Sequence, residues 1–233
     1  MNQNVIDEKT LLKKQVTKRI LMIIINLLFS LAILLVSSGD YLYRGAWILL
    51  GVYIISITFF GIFLPKKVIE TRSKSLTNQP TYEKVLKIPL FISGYATYIV
   101  AGLDQRFNWT IAIPWYMLVL GAVIFFMGMG ILLWSMIENP YFNQAVTLDE
   151  DHQVVTSGPY SVIRHPGYLG MMTYLAVVPI LLESLFAMIP TIVVIILFMI
   201  RTNLEDKYLA NHLKGYKAYQ EQVKKRLFRT YRS

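Results

Sequence analysis

Ser157-Gly158-Pro159-Tyr160-Ser161-Val162-Ile163-Arg164-His165-Pro166-Gly167-Tyr168-Leu169-Gly170 packs an Arg, a His, three Gly, two Pro and two Tyr into one short, turn-rich segment. Long apolar runs lie on both sides of it. Irregular polar backbone beside hydrocarbon is costly unless it is buried in protein or lines a wet cavity. The stretch therefore reads as a site set between membrane-crossing helices, and the surrounding runs decide the fold.

Those runs are 20–36, 47–64, 88–103, 111–137, 168–182 and 185–200. A spanning helix needs about 20 apolar residues, within a range of roughly 17–25. The first, second and fourth meet this easily, while Ser93, Gly94 and Thr97 interrupt the third. The last two are parted only by Glu183-Ser184 and read as a tight helical hairpin with short arms. Pro179 and Pro190 fall inside those arms, and each removes a backbone donor, so kinks or local openings are expected. The expected fold class is an all-α integral membrane protein of about six (five to six) transmembrane helices.

Composition agrees. The 233 residues are 55% hydrophobic and 16% charged, too apolar for an ordinary soluble domain and too few for a second one. There is no cysteine, which excludes disulfides, Cys-ligated zinc, iron–sulfur clusters and a catalytic thiol. Lys13, Lys14, Lys18 and Arg19 before the first run, with Ser37-Ser38-Gly39 after it, resemble a signal peptide. The run's length and the spans that follow it favour a retained helix.

The formal net charge of +9 is explained by topology. With six helices threaded, 21 of the 23 Lys and Arg fall on one side, and only Arg44 and Arg106 on the other. The positive-inside rule then places both termini in the cytoplasm, so nucleic acid is not needed to account for the basic excess. The segments around His165-Pro166 and Arg201–Asp206 come to the same face because the hairpin goes out and returns. A site between them is open to a cytosolic cofactor and to a lipid-embedded substrate. The polar stretch 71–81 reads as a loop on that face, and 143–156, with Asp149, Glu150 and Asp151, as a hairpin or a lid.

Individual residues carry competing readings. Arg164 and His165 precede Pro166, which suits the first turn of a helix and turns the His out of it; the alternative is a pair that snorkels to lipid headgroups. Gly158, Gly167 and Gly170 allow close approach of a ligand or, equally, a turn and tight helix packing. Arg201 and Glu205 stand i and i+4 on one helix face, either as a surface ion pair or facing a cavity. Gly215-Tyr216-Lys217-Ala218-Tyr219, then Lys224, Lys225, Arg226 and Arg229, read as an interfacial anchoring helix. His152 and His212 read as solvated surface. No His and carboxylate spacing suits a metal, and no nucleophile–base arrangement stands out.

Val154-Val155-Thr156-Ser157-Gly158-Pro159-Tyr160, followed by Arg164-His165-Pro166-Gly167-Tyr168-Leu169-Gly170, resembles the signature of the isoprenylcysteine carboxyl methyltransferase (ICMT) family. That family is itself similar to the phospholipid N-methyltransferases. Arg201, Glu205-Asp206, Leu209, Gly215-Tyr216 and Tyr219 resemble its second motif, and Asn139-Pro140-Tyr141-Phe142 resembles the start of the domain. Two departures are Asp206, where a second Glu is common, and Gly167, where a larger residue such as Met is frequent. The resemblance covers about 138–230. It divides the chain into N-terminal transmembrane helices, 1–137, and a methyltransferase core, 138–233, with the His-Pro loop, the hairpin and the basic C-terminal segment.

The resemblance implies an enzyme of the cell membrane, bacterial by expectation, that uses S-adenosylmethionine and methylates a lipophilic small molecule or lipid, on a carboxylate. It implies a cytosolic-side cofactor pocket lined by Gly158, Tyr160, His165, Pro166, Tyr168, Leu169, Glu205 and Tyr216. Arg201 and Glu205 would act at the reacting end, Arg201 on the substrate carboxylate and Glu205 on Arg201 or the cofactor amino group. Membrane lipids are the other expected partners; no nucleic acid and no metal are expected. Two alternatives stay open: an NADPH-dependent membrane reductase of the sterol-reductase type, and a non-catalytic lipid-binding protein.

Overall fold

The computed structural model describes residues 3–65, 68–69, 79–142 and 152–227. In chain order the elements are α1 (Gln3–Ser38), α2 (Arg44–Phe63), α3 (Thr81–Phe107), α4 (Trp115–Glu138), a 3-10 turn (Gly158–Ser161), α5 (Pro166–Leu181), α6 (Met188–His212) and α7 (Tyr216–Gln222). No strand occurs among the described residues. The protein is an all-α integral membrane protein. Five helices, α1 to α4 and α6, are long and apolar enough to cross a bilayer. With 16 residues, α5 is shorter; at 1.5 Å per residue it reaches about 24 Å, less than the roughly 30 Å hydrocarbon core.

The helices differ from the apolar runs in informative ways. Thr81 opens α3, seven residues before its run, and its 27 residues remove the doubt raised by Ser93, Gly94 and Thr97. The fourth helix begins at Trp115 and not at residue 111, because Pro114 takes the extended N-cap position. The second arm of the hairpin is not short: α6 runs 25 residues and carries Arg201, Glu205 and Asp206 without a break. Pro190 lies in the first turn of α6, where its missing N–H has no intrahelical acceptor, so the opening expected there is not required. Of the stretch 71–81, residues 71–78 lie outside the described residues, as do the acids Asp149, Glu150 and Asp151.

The core joins α1 to α5 through Leu34, Ala46, Leu49, Phe125, Val178 and Leu181, all buried. The most extensive helix pair is α4 with α5. A Cβ on Gly170 would stand 2.6 Å from the Gly128 carbonyl oxygen, and one on Gly128 would stand 2.6 Å from the Tyr174 nitrogen. The two backbones touch there because neither residue has a side chain.

At one end of the bundle the polar groups are closed off. Asp104, 2% exposed, accepts from the Thr110 amide at 2.7 Å and from the hydroxyls of Thr110 and Ser184, both at 2.5 Å. Arg44 pairs with Glu183 in the hairpin turn, and the Tyr43 hydroxyl donates to the Leu182 carbonyl. The His-Pro loop, the start of α3 and the second half of α6 gather at the opposite end.

Candidate active site

Pro166 starts α5, and His165 occupies its N-cap position. The loop before it is held by the C-terminal segment: the Arg164 amide donates to the Lys225 carbonyl at 2.9 Å and the His165 amide to the Arg226 carbonyl at 3.1 Å. The 3-10 turn sets Tyr160 beneath the end of α4. Its hydroxyl donates to the Ser135 carbonyl at 3.3 Å, and its own carbonyl accepts from the Tyr219 hydroxyl at 2.6 Å.

Asp206 organises this end of the molecule. Its carboxylate, 6% exposed, takes both the Nε and Nη2 of Arg164 at 2.8 Å. It also meets His165 Nε2 at 3.0 Å, the Tyr216 hydroxyl at 2.9 Å and the Gln220 amide at 2.9 Å. One side chain of α6 thus ties together the His-Pro loop and α7. Burial opposes the charge on Arg164, but the hydrogen bonds and charge of Asp206 outweigh it and hold the guanidinium pKa above its ordinary value. Burial, and next the Asp206 carboxylate, push the Tyr216 phenol far above the usual range, so it stays a donor.

Next to Asp206 in the chain, Glu205 accepts from the Tyr168 hydroxyl, and His165 Nδ1 lies 3.9 Å from the same carboxylate. A further turn along α6, Arg201 places its guanidinium 5.5 Å from the centre of the Tyr168 ring. It pairs with Glu83 on α3, with Nε–Oε1 at 3.1 Å and Nη2–Oε2 at 2.9 Å.

These groups face a cavity of about 390 Å³. Of the residues expected at the site, Tyr160, His165, Tyr168, Arg201, Glu205 and Tyr216 line it together. Three others do not. Gly158 has φ +54° and abuts the Glu138 side chain, so it serves the turn. Pro166 is buried as the first residue of α5. Leu169 packs into the apolar cluster of Tyr168, Met172 and Leu227.

Other readings are corrected by burial. Arg164 and His165 do not snorkel to headgroups, because both end on Asp206. Tyr216 and Tyr219 are 4% and 3% exposed and face inward, so these rings wall the cavity and do not sit in a headgroup belt. Lys217, Lys224 and Lys225 are exposed; Arg229 lies outside the described residues. His152 is not surrounded by solvent: it stacks on Tyr141, ring centres 4.4 Å apart, and lines the cavity. Glu83 and the role of Asp206 were not foreseen. Glu83 lies between the polar stretch 71–81 and the apolar run that starts at 88, and its signal was its place just after Pro80-Thr81, at a helix start. No cluster of three or more potential metal ligands occurs among the described residues.

The stretch 117–211, from within α4 to near the end of α6, matches the model of the isoprenylcysteine carboxyl methyltransferase (ICMT) family. Over that segment the chain is similar to this family. The likeness points to a membrane methyltransferase. The ICMT segment holds the His-Pro loop and Arg201–Asp206, whereas Glu83, Tyr216 and Tyr219 lie outside it. No curated protein matches the chain.

Proposed function

We propose that this protein is an S-adenosylmethionine-dependent methyltransferase that acts on a carboxylate of a lipophilic small molecule or lipid. Its setting is a bacterial plasma membrane with both termini in the cytoplasm, as the charge bias favours. The observation that carries the reading is the cavity itself: the His-Pro loop, α6 and α7, distant in sequence, enclose one space with Glu205 on its wall.

The donor set fits this cofactor. Tyr160, Tyr168, Phe198, Tyr216 and Tyr219 give the cavity aromatic walls, which attract a cation such as a sulfonium. Glu205 is an acceptor for an ammonium group. The volume of about 390 Å³ falls at the small end of ligand pockets. The NADPH reading is less well served. A dinucleotide carries several phosphate charges, yet the described wall holds two arginines, Arg164 and Arg201, and Arg164 is already taken by a two-point pair with Asp206.

Bound S-adenosylmethionine supplies a methyl group activated by its positive sulfur. The residues here hold the partners and exclude water. Arg201 orients the acceptor carboxylate, Tyr168 fixes the Glu205 carboxylate through its hydroxyl, and Asp206 keeps His165 and Tyr216 in place. A carboxylate is already ionised and needs no base, so the rate rests on alignment and desolvation. An amine acceptor would need one, and His165 and Glu205 are the groups in reach. The chain is divided functionally into helices 1–137 and a core, 138–233.

Calorimetric titration in detergent with S-adenosylmethionine, and with NADPH in parallel, tests this, followed by mass spectrometry of a lipid extract incubated with the protein. Binding of the first ligand and a product heavier by one methylene unit support the proposal. Binding of NADPH alone supports the reductase. Full function retained after H165A and R201A supports a lipid-binding protein without catalysis.

A further inference from the structure

On the reading above, we propose that Glu83, on α3 and outside the matched segment, is a positioning residue that sets the guanidinium of Arg201 at the cavity. Glu83 is 2% exposed and the Arg201 side chain 12% exposed, so this is not a solvent-screened pair. The two contacts, at 3.1 and 2.9 Å, engage adjacent nitrogens of one guanidinium edge. Side-on pairing of this kind fixes the plane of the group as well as its position. The Tyr168 ring lies 5.5 Å from the guanidinium carbon. Arg201 is therefore held between a carboxylate from the N-terminal helices and an aromatic ring from α5.

Two physical consequences follow. A long arginine stem has several rotatable bonds, and ordering it at the moment of substrate binding costs free energy; Glu83 orders it beforehand. Glu83 also competes with the partner nearest along α6. Arg201 and Glu205 are i and i+4 on one face, the spacing at which such side chains pair. With Glu83 removed, Arg201 swings toward Glu205 and withdraws that carboxylate from the cofactor. The N-terminal bundle is then part of the active unit: it supplies the group that keeps Arg201 and Glu205 apart.

The test uses the full-length protein in detergent, with wild type, E83Q, E83D, R201K and the double variant E83Q/R201K. Methyl transfer is measured to an N-acetylated isoprenylcysteine, S-adenosylmethionine affinity by calorimetry, and stability by thermal unfolding. Expected is a fall of about 10- to 100-fold in kcat/KM for the acceptor in E83Q, the range for a charged hydrogen bond. E83D, which keeps the charge, recovers much of it. In the R201K background E83Q adds less than about threefold, because coupled residues are not additive. Wild-type kinetics in E83Q, or an equal loss in both backgrounds, overturns the role assigned to Glu83. Should E83Q fail to fold, arginine modification by phenylglyoxal with peptide mapping decides. Arg201 protected in wild type and E83D supports the pairing, and Arg201 labelled as fast as Arg44 in wild type overturns it. A wild type that neither binds S-adenosylmethionine nor transfers methyl overturns the functional proposal itself, which separates that failure from a failure of Glu83.

Discussion

The bundle buries a carboxylate at each end, and the two ends use it differently. Asp104 takes neutral donors, an amide and two hydroxyls, and joins the α3–α4 connection to the hairpin turn. Asp206 takes a guanidinium, a phenol and an amide, contacts His165 as well, and stands beside a cavity of about 390 Å³. Burial of an acid is therefore not what marks the site. The mark is a second layer of polar groups, Glu205 and Arg201 with Tyr168, that faces open space once the buried acid has secured the scaffold.

That contrast is sharpest under substitution. D206A leaves Arg164 charged with its main partner gone; removing one member of a buried pair costs about 3–5 kcal/mol. The expected outcome is a strongly lowered thermal midpoint in detergent together with loss of S-adenosylmethionine binding by calorimetry. D104N at the other end strands hydroxyl donors and costs about 1–3 kcal/mol. Its thermal midpoint falls, but ligand affinity measured on the folded protein stays at the wild-type value. If D104N weakens binding as much as D206A, the two ends are not independent and the comparison breaks.

Smaller changes refine it. Y168F removes one hydroxyl from Glu205 while keeping the ring against Arg201, and about tenfold in kcat/KM is expected for one hydrogen bond to a charged group, with little change in the thermal midpoint. R44A should be nearly silent. Its side chain is 65% exposed in the pair with Glu183, and exposed pairs contribute less than about 1 kcal/mol. Thermal unfolding and transfer rates that both match wild type would place Arg44 with the surface and leave Asp104 as the organiser of its end.

Much of the fold could be read from the chain because hydrocarbon selects long apolar runs, and these are visible without any partner. Helix ends were less legible. Polar residues on a helix leave no apolar signal, so the seven residues of α3 before Ile88 passed for loop, and Glu83 with them. The site was legible where chemistry clusters in sequence, as in Arg164-His165-Pro166 and Arg201 to Asp206. It was illegible where meaning comes from tertiary contact. Tyr216 and Tyr219 fit an interfacial helix by composition, and only their burial against Asp206 and the Tyr160 carbonyl shows otherwise. His152 beside three acids gave no hint of the Tyr141 ring that covers it.

Where α4 and α5 meet, with main chain against main chain, any side chain added at Gly128 or Gly170 would force these helices apart. The tail strap at Lys225 and Arg226 is fastened to the His-Pro loop in another way, by two amide hydrogen bonds. Shortening the chain before that strap would remove both bonds and take Leu227 out of its cluster with Tyr168 and Met172.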